Sequence, residues 1–501
     1  MGETSTKNDT ESLPIIPQGW VWAQLGDVAE YINGRAFKPT DWETSGRPII
    51  RIQNLTSSTD TINRYSQPID GKFLIRDGDF LISWSATLGA FIYKGEEAVL
   101  NQHIFKVKPF LNKLFLFYLV TTYIDSLKKK VHGTGMQHIT KGKFEESPIP
   151  LPPAPEQIRI VSKIEELLTE LDAGVASLKK VRAQLKRYRE AVLKAAFEGR
   201  LTQEWREAHK GKIEPAALLF KEIKREHPGQ EKELVKRLPL DESGLFALPD
   251  EWIWVQAQDV CENITNGYTP TADKLFEGAG DIPFIKVYNL TKTGAFDFSV
   301  KPTFISRETH EKELKRSAVY SNDVLMSIVG PPMGKVSLVP ELHDEWNINQ
   351  AIVIYRTFPE YSRKLLLYVL LSETIQRWLK KRSKTTAGQT NYTITMSRSL
   401  PIPLPPINEQ SLIVNEIERH FSQIDHIENT VVTSLRQAET LRQSILKQAF
   451  EGKLVPQDPN DEPASILLER IKAEKAHHTE EIKKGKILQP KSPKRKIKNG
   501  N

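Results

Sequence analysis

The chain has 501 residues, 39% hydrophobic and 27% charged, a balance that excludes a wholly disordered or membrane-embedded protein. Lys and Arg outnumber Asp and Glu by 70 to 63, for a net charge of +7 and a pI near 9.0, which favours a polyanionic partner. A single cysteine, Cys261, excludes a disulfide framework and a thiolate-rich metal site and fits a reducing compartment.

This length predicts two or more domains. The segment from Met1 to Leu13 is polar and lacks the apolar centre of a signal peptide, so a cytoplasmic location is expected. The longest apolar run, around Leu365 to Leu371, is far short of the roughly 20 residues of a membrane span. Short apolar runs at Pro48 to Ile52, Asp79 to Ser83 and Ile104 to Val107 read as strands between Gly, Asp and Asn turns. Lys113 to Val131 has helical spacing, as has Arg363 to Leu379. The predicted class is α+β, with a curved sheet and a few helices in each of two globular domains.

Internal similarity organises the rest. Pro148-Ile-Pro-Leu-Pro-Pro153 recurs as Pro401-Ile-Pro-Leu-Pro-Pro406, an offset of 253 positions that holds through Glu156-Gln157 and Glu409-Gln410 to Ala196-Phe-Glu-Gly199 and Ala449-Phe-Glu-Gly452. Upstream, Pro17-x-x-Trp20-Val-Trp22 returns as Pro249-x-x-Trp252-Ile-Trp254, and Asn54-Leu-Thr56 as Asn289-Leu-Thr291. Asn101-Gln102 likewise returns as Asn349-Gln350, and Glu214-Pro-Ala216 as Glu462-Pro-Ala464. The chain is therefore two copies of one unit. Its expected parts are a tail at 1–15, a globular α+β domain at 16–150, a long helix at 151–200 and a connector with a short helix at 201–245. A second domain at 246–403, a second long helix at 404–453, and a short helix with a basic tail at 454–501 follow.

The Pro-rich segments read as stiff extended straps that join neither a ladder nor a helix. Beyond them, Val161, Ile164, Leu168, Leu171, Val175, Leu178, Leu185, Tyr188 and Val192 form a heptad seam. Val414, Ile417, Phe421, Ile424, Val431, Leu435, Ala438, Leu441 and Ile445 form its counterpart. Pro155 suits a first turn, Asn408 a cap, and Gly199 and Gly452 the stops. Each rod would span about 65 Å, and a stripe this narrow calls for one partner helix, so an antiparallel coiled coil of the two with pseudo-twofold symmetry is predicted. Arg182 and Glu428 interrupt the apolar seam. They either approach one another and fix the register or each reach solvent.

This layout resembles the specificity subunit of type I restriction–modification enzymes. The residues that carry the likeness are Gly133-Thr-Gly-Met-Gln-His-Ile-Thr140 leading to Pro148-Ile-Pro-Leu-Pro-Pro-x-Pro-Glu-Gln157. In the second copy they are Thr385-Thr-Ala-Gly-Gln-Thr-Asn-Tyr-Thr393 leading to Pro401-Ile-Pro-Leu-Pro-Pro-x-x-Glu-Gln410. The resemblance implies two target recognition domains, each reading half of a bipartite, asymmetric site in double-stranded DNA, with the helix pair setting the unread spacer. It further implies docking of two adenine-methylating modification subunits and of restriction subunits that translocate and cut DNA. S-adenosylmethionine, ATP and Mg2+ would belong to those partners, and this chain would bind no cofactor.

If the halves read different sequences, residues identical in both serve folding or backbone positioning, and base readers lie where the copies differ. Trp20 and Trp252 are then buried anchors, and Asn101-Gln102 and Asn349-Gln350 are structural or phosphate-binding. Candidate DNA contacts in the first copy are Arg35, Lys38, Ser83, Trp84, Ser85, Gln102, Gln137 and His138. In the second they are Tyr268, Lys335, Gln350, Lys384, Gln389, Thr390 and Asn391. Arg, Lys, Gln and Asn carry donor patterns that match guanine or adenine edges. Lys128 to Lys130 and Lys380 to Arg382 suit phosphate contact or a solvated helix end.

No Asp/Asn-Pro-Pro-aromatic motif for amino methylation appears, Gly330 to Lys335 lacks the spacing of a phosphate loop, and the histidines lack paired zinc spacing. A non-catalytic DNA-binding chain is predicted. The alternatives are a free-standing bidentate DNA-binding regulator without enzymatic partners and a coiled-coil scaffold.

Overall fold

The computed structural model describes residues 13–56, 59, 61–85, 87–130, 141–228, 239–330, 333–386 and 389–487. It divides into two compact units, one of residues up to Leu178 and from Thr433, the other Lys179 to Val432. The divisions fall inside the two long helices, Ala154–Phe197 and Ile407–Phe450.

The first unit holds two four-stranded sheets. One runs Ala29–Asn33, Ile104–Pro109, Phe80–Ser83, Gly89–Ile92, all antiparallel. The other runs Arg64–Tyr65, Arg47–Ile50, Ala98–Leu100, Leu74–Ile75, with a parallel pair at its centre. The second unit repeats this plan. Cys261–Asn266, Ile352–Thr357, Val324–Ser327 and Val336–Leu338 form the antiparallel sheet. A five-stranded sheet carries the corresponding parallel pair, Ile282–Ile285 with Trp346–Ile348. The predicted strands are present within a few residues. The helix expected over Arg363 to Leu379 breaks at Ser372 into Arg363–Leu371 and Glu373–Arg382.

The Pro-rich straps do pair, contrary to expectation. Pro148–Leu151 runs antiparallel to Val21–Gln24, and Pro401–Leu404 to Ile253–Gln256. Successive residues of a strand turn their N–H groups to opposite sides, so prolines at every second position leave one edge able to bond. Pro148 and Pro150 are spaced in this way, alternating with the buried Ile149 and Leu151.

Each strap leads directly into a long helix, whose first turn is locked to the start of its domain. The Trp20 indole N–H donates to buried Glu156 at 2.9 Å, and that of Trp252 to Glu409 at 2.7 Å. Glu409 also accepts from Thr202 and Arg206, whereas Glu156 accepts from Gln457. The neighbouring glutamines act equally in parallel. Gln157 accepts from the Asn112 backbone and Gln410 from the Ser362 backbone. The helices stop at Gly199 and Gly452, both with left-handed φ, as predicted. Asn408 does not cap, because the second helix already begins at Ile407.

Within each unit the start of one long helix packs beside the end of the other. In the first, Ile160, Val161, Ile164 and Leu168 share a core with Ile445, Leu446, Ala449 and Phe450, and Asp172 pairs with Arg442. In the second, Leu185, Val192 and Phe197 share a core with Val414, Ile417, Phe421 and Ile424. Tyr188 meets His420, Arg189 meets Asp425 at 2.5 Å, and Arg182 lies 3.8 Å from Glu428, so rising numbers on one helix meet falling numbers on the other. The helices are antiparallel, and Arg182 does approach Glu428, although both side chains remain exposed. The seam is not uniform. In the first unit Leu171, Val175 and Leu178 are only half-buried and border an open cavity of about 390 Å³. The small Gly174 and Ala438 and the polar Ser434 and Gln437 leave it unfilled.

Replacing Trp252 with Phe keeps the ring but strips the buried Glu409 oxygen of its donor. Urea unfolding of the full chain should show a loss of about 1–3 kcal/mol, and no loss would show the contact to be incidental.

Candidate nucleic-acid interface

Among the described residues, the Asn-Gly and Asn-Gln loops lie together in each unit. In the first unit Gly34 passes so close to the Asn101 carbonyl that a Cβ there would overlap it. Gly267 is packed against Ile348 and Asn349 in the same way in the second. This close approach ties the Asn-Gly loop to the Asn-Gln loop. Arg35 N–H donates to the Leu100 carbonyl, and the Arg35 carbonyl accepts from Gln102 N–H at 2.8 Å. The Asn101 side chain also accepts from Gln102 N–H at 2.7 Å, the structural role expected of a residue shared by both copies. The Asn-Leu-Thr repeats are structural too: Asn54 accepts from Arg51 N–H and Asn289 from Lys286 N–H.

In the first unit Arg35 donates to the Tyr65 hydroxyl at 2.7 Å and lies over the Phe37 and Tyr65 rings. A guanidinium has five N–H donors, so the fork is positioned rather than exhausted. Lys38 and Gln102 are exposed. Trp84 donates to Asn33 at 3.2 Å and stands edge-on to His103. Ser83, expected among the DNA contacts, departs from that expectation. It is fully buried, and its hydroxyl donates to the Thr87 carbonyl at 2.5 Å inside the hairpin, out of reach of DNA. Ser327, its buried counterpart, does similar work by accepting from Lys335 N–H. Ser85 is also buried. Gln137 and His138 lie outside the described residues.

In the second unit Tyr268 is exposed, and the exposed Gln350 accepts from Thr269. Lys335 is half-buried and donates its ammonium to the Val287 carbonyl, which counts against a free role at a base edge. The strand Val329–Gly330 pairs with Gln389–Asn391, which in turn pairs with Lys384–Thr386. This sheet brings the backbones of Lys384, Gln389 and Thr390 beside the segment around Ile328, itself bonded to Ala351. The half-buried Asn391 has its Oδ1 sealed and without a partner.

Of the second basic cluster, Lys380 and Lys381 are exposed, but Arg382 is occupied. It stacks on Trp378 and binds the Asp241 carboxylate and Ser243 hydroxyl, fastening the connector to the domain. Hydrogen bonds from Ser243, with help from Arg382, hold Asp241 down to a pKa of about 2. A depressed carboxylate pKa stabilises the fold above its unfolded value, so this clasp holds at neutral pH and is released only as pH falls toward 2. Although the histidines have no zinc-like spacing in sequence, the fold brings Glu226, His227 and Glu360 within 4.8 Å of one another. The His227 ring lies flat on Phe358, with Nε2 3.3 Å from the Glu360 carboxylate.

One scaffold thus recurs with unlike loops at corresponding places in the two units. Residues 17–187 and 249–435 each match the type I restriction modification DNA specificity domain, and the chain belongs to that family. It is 29% identical over 492 residues to the type I restriction enzyme EcoBI specificity subunit of Escherichia coli, covering 94% of this chain and 95% of that one. It is 25% identical over 495 residues to the EcoKI specificity subunit of E. coli strain K12, covering 92% and 96%. It also shares its fold with a chain from a solved structure described as "Structural basis underlying complex assembly and conformational transition of the type I R-M system". There the TM-score is 0.59 at 20% identity, covering 88% of this chain and all of the other. This chain is accordingly a specificity subunit, and its activity is DNA recognition.

The close approach at Gly34 is testable. Gly34→Ala should lower full-chain stability by about 1–3 kcal/mol. Gly71→Ala, where nothing lies within 4 Å, should leave the melting curve unmoved.

Proposed function

We propose that each unit reads one half of a bipartite, asymmetric DNA site and that the two long helices set the unread spacer between the halves. The observation that carries this reading is one scaffold used twice with unlike loops. Gly34 and Gly267 make the same close approach, yet Arg35 follows one and Tyr268 the other. Shared residues build the platform and divergent ones face the sequence to be read. Each long helix has 44 residues, roughly 66 Å at about 1.5 Å per residue.

The chain itself carries out no chemistry. Its helices dock two adenine-methylating subunits, and restriction subunits join that core in the cytoplasm. S-adenosylmethionine, ATP and Mg2+ serve those partners. Among the described residues no helix is long and apolar enough to cross a membrane. The duplicated straps and helix starts favour this reading over a free-standing regulator, which needs no such repeated docking surface.

Co-expression with a methyltransferase partner, followed by mapping of methylated adenines, tests the reading. A split motif with a fixed gap is expected, and contiguous or absent methylation would refute it. In the same complex, neutralising exposed Lys380 and Lys381 should weaken binding evenly across sequences. If each contacts a phosphate, each loss should reduce the slope of log affinity against log salt by about 1.

A further inference from the structure

His103 combines three features that no neighbouring residue shares. Its φ is +71°, a left-handed backbone that costs a non-glycine residue energy and persists where the surroundings impose it. Its Nδ1 is sealed from solvent without a hydrogen-bond partner. Its ring meets the edge of Trp84 with centroids 4.9 Å apart, and the His103 carbonyl accepts from Trp84 N–H at 3.2 Å.

Trp84 is rigidly backed. It stacks on Phe105 at 5.7 Å, Phe105 stacks on Phe144 at 6.2 Å, and Tyr31 meets both of those rings edge-on. This aromatic column, rooted in the core of the first unit, fixes the imidazole next to exposed Gln102 and the Arg35 loop. In the second copy Trp84 is replaced by Ile328, His103 by Ala351 and Phe105 by Val353. The device belongs to one half only, as a residue that distinguishes the half-sites must.

We propose that His103, braced by Trp84, is a base-reading residue of the first unit. This rests on the reading that each unit recognises its own half-site. With Nδ1 sealed, the ring meets DNA through Nε2. In the tautomer that keeps the proton off the buried nitrogen, Nε2 is a donor. A single donor in the major groove selects an acceptor on the base edge, guanine O6 or N7, adenine N7 or thymine O4, and rejects the cytosine edge, which offers only a donor. The strained backbone and unpartnered nitrogen are the cost of presenting the ring from a fixed position.

The test is selection from a random duplex pool by the complex with its methyltransferase partner, comparing wild type with His103→Gly. Glycine is at home at this φ, so the melting temperature should not fall. If folding were nevertheless impaired, His103→Asn, which also tolerates left-handed backbone, gives the same readout. The expected result is a loss of preference, about tenfold or more, at one base pair of one half-site, with the other half-site, the gap and the salt dependence unchanged. An unaltered motif, or an even loss of affinity across all sequences, would overturn the role of His103 while leaving the bipartite reading intact. A wild type that enriches no split motif would overturn both.

Discussion

A buried carboxylate in the first turn of each long helix, gripped by the indole N–H of its domain's first tryptophan, is the contact on which the rest of the fold depends. Glu156 and Glu409 lie where the strap ends and the helix begins, so one hydrogen bond fixes the domain, the strap and the direction of the rod. Burying a charge is costly unless it is paired and hydrogen-bonded, so the arrangement tolerates few substitutes. The two copies satisfy it differently. Arg206 neutralises Glu409 directly, while Glu156 has the amide of Gln457, with Arg159 nearby engaged by Asp461. In both units the donors other than the indole come from the segment just beyond the end of a long helix. Each lock therefore joins the entry of one rod to the exit of a rod, and the antiparallel pairing is written into it.

Much of this is legible in the sequence because it rests on periodicity and repetition. Most of the heptad seam, the glycine stops and the duplicated straps follow from spacing alone, although Tyr188 and Leu441 of that seam stand exposed, and the anchoring role of Trp20 and Trp252 follows from their recurrence. What escapes a sequence reading depends on tertiary context. Proline forbids ladder bonds at its own position, which argues for unpaired straps. The alternation of Pro148 with Ile149 nevertheless leaves one edge free to bond, a consequence of strand geometry rather than composition. Glu156 and Glu409 are visible only as repeated letters, since nothing local marks a glutamate as buried.

The candidate site shows the same division. In the first unit the Asn-Gly, Asn-Gln and Ser-Trp loops lie side by side, a placement that their spacing in the chain does not foretell. Ser83 does not belong among the DNA contacts, and the sequence itself argues against it. It is identical to Ser327, and shared residues build the scaffold. Arg382 departs from expectation for another reason. Asp241, distant in sequence, occupies its guanidinium, and a lone basic run cannot reveal that partner. His103 gives no signal in composition or spacing, because its distinction lies in a backbone angle and a missing hydrogen bond.

The uneven seam has a consequence for how the rods are specified. At the domain ends, residues such as Ile164 and Ile417 are fully buried, and burial there drives association. Near the middle the apolar contacts thin out, and charged pairs take their place: Arg182 with Glu428, Arg189 with Asp425, Asp172 with Arg442. Exposed ion pairs add little stability, typically about 0–1 kcal/mol each. Their effect is selective instead, since shifting one helix along the other would separate these charges at several positions at once. Within each unit the buried apolar residues hold the two helix segments together and the charged pairs fix their register.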